Sequence, residues 1–270
     1  MAIHMRISVV VMSNTETRVH FLKHAIKSVV NQCRRPDEVI VVMSYRDREV
    51  EELVSPHGYV IHRVSNRVGP MWATGIKEST GDVIAFLDDD DEWLAGKLGD
   101  VERVFSTVDD LGLYHNAFQF IDESGRALSC SELHPYYCSL VLKDRVIVKG
   151  GVDRYLRLSY LDWLTADYWA LYYNTSSLSS LRDPLIKDLD VVERTNLYSD
   201  AMFFIIALSQ GYVILHDTVV LTRYRIHTGQ TSRRILSKEF TDLVNMDYEL
   251  FSSVIRRTPG HFINPSHPEK

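Results

Sequence analysis

Hydrophobic and polar positions alternate in blocks along the first hundred residues. ISVVVM (7–12) is a nearly unbroken β-branched run, the pattern of a strand buried on both faces. Leu22, Ala25/Ile26 and Val29/Val30 follow at three- and four-residue spacing and predict an amphipathic helix. EVIVVM (38–43) predicts a second strand, REVEELV (48–54) a short helix and YVIHRV (59–64) a third strand. A helix is predicted from about Met71 to Ser79, closed by Gly81, and VIAFL (83–87) is a fourth strand. Apolar strands alternating with helices predict an α/β fold with a parallel sheet covered by helices on both faces. In such sheets ligands bind beyond the carboxyl ends of the strands.

The second half is less regular. GLYHNAFQFIDESGRAL (112–128) predicts two strands joined by a turn at Glu123-Ser124-Gly125. Residues 150–175 are rich in Tyr, Leu and Trp without a clean period. A helix near 199–209 is followed by strand-like YVILH (212–216) and VVLTRYRIH (219–227). An amphipathic helix at about 237–257 ends in Arg256 and Arg257, which suits its dipole, ahead of a loose tail. The opening MAIHM (1–5) reads as a vector-derived remnant around a native start at Met5.

Composition narrows the function classes. At 270 residues, 45% hydrophobic and 24% charged, the chain is an ordinary globular protein with ample core. A formal charge of −6 argues against a nucleic-acid backbone as its partner. The apolar stretch at 201–215 is broken by Gln210 and Gly211 and falls short of the roughly 20 residues that span a bilayer. No transmembrane segment is expected, and the reading is cytoplasmic, with peripheral contact at the inner membrane face left open. Cys33, Cys130 and Cys138 match no zinc spacing, so a reduced protein is the plain expectation and a Cys130–Cys138 disulfide the alternative.

Asp88 to Asp91 close the fourth strand. Adjacent carboxylates repel by roughly 3–4 kcal/mol per pair at an effective dielectric near 20. Either the run splays into water or something positive sits there. One or two acids would serve as a helix cap; four exceed that need. Asp-X-Asp at a strand end aims alternate carboxylates at one Mg²⁺ or Mn²⁺.

SVVNQ (28–32), GIKESTGDVIAFLDDDD (75–91) and the later YRIHTGQTS (224–232) occur in this order. Together they resemble family 2 glycosyltransferases, the inverting group with a GT-A fold, from about residue 7 to 98 and with compatible elements to about 235. The resemblance implies a metal-dependent inverting transfer of a sugar from a nucleotide donor to an acceptor hydroxyl, in the synthesis of a polysaccharide, other glycan or glycolipid. It divides the chain into a donor half (6–122), an acceptor and catalytic half (123–235) and a terminal helix and tail (236–270). Asp88, Asp90 and His227 would hold a divalent cation, Mn²⁺ or Mg²⁺. Asp88 and Asp89 would lie near the donor and Asp91 near its sugar. Asp200 takes the place of the family's general base, with Ser199 where a Glu is usual; Asp188, Asp190 and Glu193 are nearby competitors. Arg225 and the region 231–234 would meet phosphate oxygens.

This chain departs from the family's donor loops. Met12, Ser13, Asn14 and Glu16 stand after the first strand in place of Pro-Thr-Tyr-Asn, and Met43 and Ser44 replace the Asp pair that reads uracil. Asn66 and Arg67 form the donor-side loop, and Trp72 falls where an Arg is frequent. These changes weaken the case for a UDP-linked donor and leave GDP-, dTDP- and CMP-linked donors open beside it. Trp93, His115, Asn116 and the aromatic stretch 155–173 are the acceptor-side candidates, for a glycan or lipid-linked acceptor. The competing readings are a catalytically degenerate GT-A-like binding module and, behind it, a nucleotidyltransferase, which would need a Gly-rich basic loop that MSNTETRVH lacks. No G-x-G-x-x-G opens the first helix, which removes the dinucleotide-binding reading.

Overall fold

The β-branched runs become the centre of a mixed sheet in the computed structural model, which describes residues 5–65, 67–139, 146–149, 174–230 and 241–257. The first half runs β1 (Ile7–Ser13), α1 (Val19–Val30), β2 (Glu38–Met43), α2 (Arg48–Val54), β3 (Gly58–His62), α3 (Val68–Glu78) and β4 (Val83–Asp88). These four strands are parallel, with β1 between β2 and β4 and β3 outside β2. Alternation along β1 builds two cores. Ile7, Val9 and Val11 pack toward Leu22, Ile26 and Val29 of α1. Val10 and Met12 face the opposite layer with Trp72 and Ile76 of α3.

The chain continues through β5 (Glu92–Trp93), α4 (Lys97–Thr107), β6 (Leu111–Ile121), α5 (Pro135–Ser139), β7 (Val146–Lys149) and β8 (Leu178–Leu181). It then forms α6 (Arg182–Lys187), α7 (Leu189–Arg194), α8 (Ser199–Ser209), β9 (Val213–Arg225) and α9 (Thr241–Arg256). The strand order is β3-β2-β1-β4-β8-β6-β9-β5, with β7 attached to β9. Four strand spacings separate β4 from β5 along this path, about 19 Å if the sheet were flat. The four residue steps from Asp88 to Glu92 reach at most about 14 Å. The sheet must therefore curl, and the aspartate run crosses the mouth where it closes.

Several expectations are corrected. The turn at Asp122–Gly125 forms, with Gly125 at φ +85°, but its return arm makes only an isolated bridge, Ile121 to Ala127. The stretch then enters a 3-10 turn at Cys130–Glu132 instead of a strand. The two strands read at 212–227 are one, β9, which accommodates irregular register opposite Asn116 and Ala117 of β6. The sheet is mixed, because β8 runs antiparallel to both β4 and β6. Cys130 and Cys138 form a disulfide with their Cα atoms 5.3 Å apart, against the expectation of free thiols, and Cys33 stays free. Residues 155–173 and 231–234 lie outside the described residues, as does Asn66.

One buried polar network ties the curl together. Lys97 is fully buried, its ammonium over the rings of Trp93 and Tyr114, and Nζ donates to Asn116 Oδ1 and to the Ser177 carbonyl. Asn116 Nδ2 donates in turn to Thr222 Oγ1 on β9 at 3.0 Å. Burial pulls the Lys97 ammonium down to about 7, with Asp100 opposing. The unfolded chain holds that proton up to the ordinary lysine range while the folded one releases it near 7, so the Lys97 contribution to stability rises with pH between the two. Wild type is expected to gain on Lys97→Met by up to about 1.4 kcal/mol per pH unit from pH 7 to 10. Urea unfolding of both proteins across that range measures the difference; a pH-independent gap would mean that Lys97 stays charged in the fold.

Candidate active site

β4 carries Asp88 to the carboxyl edge of the sheet, and the next three residues are held from the end of β1, the 3-10 turn that follows it, and β9 with the residues just beyond its end. Asp88 N–H donates to Ser176 Oγ at 3.0 Å, fixing the strand end against the 3-10 turn Thr175–Ser177. Asp89 is buried; Ser13 Oγ at the end of β1 donates to it at 2.6 Å and Arg18 reaches its other oxygen at 3.1 Å. Asp90 Oδ2 receives both Arg18 Nη1 at 3.0 Å and His227 Nε2 at 2.9 Å. Asp91 turns inward and accepts the backbone N–H of Arg225 at 2.8 Å. The run caps no helix: α4 begins six residues further on without a side-chain cap.

The cation that answers the four acids is therefore Arg18, a residue sequence reasoning passed over. Burial disfavours its charge, but Asp89, Asp90 and Asp88 outweigh that and hold its pKa above the usual arginine value. One guanidinium does not balance the set. Burial, then Asp90 and Asp89, push Asp88 well above the carboxylate range, with Asp200 adding to the push. Burial raises Asp89 to about 7 in spite of Arg18. Asp90 alone lies below its ordinary value, because the His227 bond and the Arg18 charge overcome its burial.

Asp200 reaches this cluster through a short relay. The described chain resumes at Asn174, which sits at φ +68°, a left-handed conformation that Asn tolerates better than most residues. Its N–H donates to Asp200 Oδ2 at 3.1 Å, and its side chain caps Ser177 at the end of the turn whose Ser176 holds Asp88. Asp200 Oδ1 accepts the Ala201 N–H at 2.8 Å in the first turn of α8. Burial lifts Asp200 to about 6, with these backbone bonds opposing and Asp247 contributing. A carboxylate that titrates there is ionised at neutral pH and is still basic enough to take a proton. The competitors lie elsewhere: Asp188 accepts from Gln210 at 2.8 Å and Glu193 pairs with Arg63 at 2.7 Å.

Asp247 is the second residue that the sequence reading missed. It is buried on α9 and accepts four N–H groups, from the backbones of Asn196, Leu197 and Tyr198 and from the Asn196 side chain, at 2.8–3.1 Å. One carboxylate thus fixes the loop that leads into Asp200. Its signal was legible, since Asp247 occupies the buried stripe with Leu250, Phe251 and Val254.

Other predicted site residues are placed in structural roles. Arg225 is buried over the Phe21 ring, and four of its five guanidinium N–H groups go to the Asp90, Asp122 and Glu123 carbonyls and to Glu92. Trp72 packs on Phe86 and Phe203 in the core, and Met43 is wholly buried between β2 and the α1–α2 layer. Neither offers a face to a nucleotide base. Trp93 is likewise core, its indole N–H donating to the Ser176 carbonyl. Asn116 belongs to the Lys97 network, and His115 is stacked against His216 inside the sheet, so neither stands open to an acceptor. Met12 is buried, and Arg67 donates to the Arg194 carbonyl at 2.8 Å. Asn14 Oδ1 accepts from Arg18 at 3.2 Å; Ser44 is half-buried at the end of β2, and Glu16 is exposed.

Asp88, Asp90 and His227 suit a hard or borderline divalent cation in chemistry, and the uncompensated charge that raises Asp88 is what such an ion relieves. Their present arrangement is not that of a formed site. Among the described residues, no three His, Cys, Asp or Glu side chains are gathered to hold a metal ion. The Gly229 N–H donates to His227 Nδ1 at 3.2 Å, which places the ring proton on Nε2, toward Asp90.

Comparison with known proteins agrees with the fold. The sequence pattern of "Glycosyl transferase family 2" matches residues 8–155. An uncharacterized glycosyltransferase of Rickettsia bellii is 30% identical over 116 residues, and one of Nostoc sp. is 31% identical over 119. These matches take in 41% and 42% of this chain but only 17% and 36% of the two relatives, so the chain spans well under half the length of either. Among solved structures, S. aureus TarS 1–349 in complex with UDP-GlcNAc superimposes with a TM-score of 0.63 at 15% identity, over 95% of this chain and 72% of TarS 1–349. The same protein with UDP gives 0.61 at 15% identity, over 94% and 70%.

Proposed function

This chain belongs to glycosyl transferase family 2, and we propose that it moves a sugar from a nucleoside-diphosphate donor to an acceptor hydroxyl by a single inverting displacement. The observation that carries this reading is the Asn174–Ser176 relay, which sets Asp200 beside the aspartate run at the mouth of the curled sheet. Asp88 and Asp90, joined by His227 in the neutral tautomer whose proton sits on Nδ1 and leaves Nε2 free, would hold a divalent cation. That ion, when bound, would supply Lewis-acid stabilisation of the departing diphosphate. Asp200 accepts the proton of the acceptor hydroxyl as that oxygen attacks the anomeric carbon, and the bond to the diphosphate breaks on the opposite side. Ser13 holds Asp89, and Asp91 anchors β9, so both keep the strand end rigid. UDP is the first donor base to test, because TarS has been solved with UDP-GlcNAc. The acceptor is a glycan or a lipid-linked glycan. No helix among the described residues is long and apolar enough to cross a membrane.

Calorimetric titration with UDP, GDP and dTDP, each with Mn²⁺ and again with excess chelator, tests the donor site. Selective binding of one nucleotide that vanishes with chelator is expected. Failure of all three to bind would favour a binding module that has lost the donor site.

A further inference from the structure

Arg18 holds two adjacent carboxylates at once. Its Nη1 lies 3.0 Å from Asp90 Oδ2 and its Nη2 3.1 Å from Asp89 Oδ1, while Asn14 takes a third contact at 3.2 Å. The third nitrogen, Nε, is buried and has no hydrogen-bond partner. The guanidinium is therefore committed at its fork and unsatisfied at its stem. On β9, Arg225 has its Nε and both terminal nitrogens bonded, while Arg223 shares with Arg18 a buried Nε that has no partner. Arg18 also sits in the 3-10 turn Glu16–Arg18 at the open end of β1, where neighbouring Glu16 and Thr17 are solvent-exposed.

We propose that Arg18 is a resident counter-ion that competes with the divalent cation for Asp90 and turns to the donor's diphosphate when the cation enters. The inference rests on the cation reading of Asp88 and Asp90 given above. Two positive groups cannot both face Asp90 Oδ2 at bonding distance without repelling each other. Entry of a metal ion therefore expels the guanidinium, whose planar fork fits two phosphate oxygens as well as it fits two carboxylates. The displaced side chain stays tethered at the end of β1 with one branch of its fork still near Asp89, beside the strand ends where the diphosphate of a bound donor would lie. Metal alone must break the Arg18–Asp90 contact and leaves the arginine only Asp89 and Asn14, whereas metal with nucleotide offers it a new partner. Binding of the two is thereby coupled, and each strengthens the other.

The test is calorimetry with MnCl₂ on wild type, Arg18→Met and Arg18→Lys, without nucleotide and then with saturating UDP, GDP and dTDP in turn. Arg18→Met is expected to bind Mn²⁺ alone about tenfold more tightly than wild type, a difference of about 1.4 kcal/mol. Wild-type Mn²⁺ affinity should rise when nucleotide is present, and that rise should shrink in Arg18→Met. Arg18→Lys keeps the charge and should stay within a few-fold of wild type for Mn²⁺ alone. Equal or weaker Mn²⁺ binding by Arg18→Met overturns the competition while leaving the cation reading standing. Absence of Mn²⁺ binding in every protein, with and without nucleotide, overturns the cation reading and this inference with it. Should Arg18→Met not fold, the wild-type comparison decides alone, because Mn²⁺ affinity indifferent to nucleotide rejects the coupling.

Discussion

Asp200→Asn is expected to bind nucleotide as wild type does and to transfer sugar about 10²–10⁴-fold more slowly, the usual contribution of a positioned general base. Asparagine keeps the shape of the side chain and still offers one oxygen to the Asn174 or Ala201 N–H. What it loses is the lone pair that takes the acceptor's proton. Because the Asp200 carboxyl titrates near 6, wild-type transfer should climb as pH rises through 6 and then level off. Stability runs the other way. The folded protein holds the Asp200 proton up to about 6 while the unfolded chain releases it near 4, so this group's contribution is complete below 4 and is lost as pH rises through 6. Asp200→Asn escapes that loss and should melt higher than wild type at pH 7, with the gap closing toward pH 4. Transfer assays and thermal melts at both pH values measure the two effects. Retained transfer at pH 7 would move the base to another residue.

Asp247→Ala should have the largest effect on stability. Truncation leaves three backbone N–H groups and the Asn196 amide without their acceptor in a buried setting. Each stranded donor costs about 1–3 kcal/mol, and part of the loop relaxes to recover some of it, so a net loss of about 3–5 kcal/mol is expected. Against a typical total of about 5–15 kcal/mol that is a large share. Urea unfolding measures it, and an unfolding free energy within about 1 kcal/mol of wild type would show that the loop finds other acceptors. Asp247→Asn, which keeps one accepting oxygen, should fall between the two. It also removes a charge that pushes Asp200 upward, so the pH at which transfer half-develops should move down in that variant.

The parallel half of the sheet was legible because parallel strands buried on both faces need uninterrupted apolar runs, and β1, β2 and β4 have them. β5, β7 and β8 are two to four residues long, too short to show a period, and what defines them is pairing with β9, β4 and β6. The aspartate run declared a need for positive charge but not its source. Arg18, His227 and the Arg225 backbone come from elements far apart in the chain, and only the curl of the sheet brings them to one place. Trp72, Met43 and Trp93 show the opposite error. Positions aligned with donor and acceptor contacts proved to face the core, because an apolar side chain at a strand end or on a buried helix face gains more from burial than from a transient ligand. Asn116 and His115 are polar residues drawn into the same interior, each with a buried partner.

The distance along the chain between the acids and their partners bears on how the protein is made. A nascent chain completes β4 and its four acids at residue 91, yet the Arg225 N–H that secures Asp91 is 134 positions later and His227 is 137 positions beyond Asp90. At about 5–20 residues per second, the ribosome needs roughly 7–27 s to deliver them. For the first 90 residues of that interval, about 5–18 s until β8 is complete at Leu181, the edge of β4 that will receive β8 is open, and an open strand edge invites pairing with a second chain. Four like charges at its tip disfavour that approach. The aspartates thus act as gatekeepers of their own strand during synthesis.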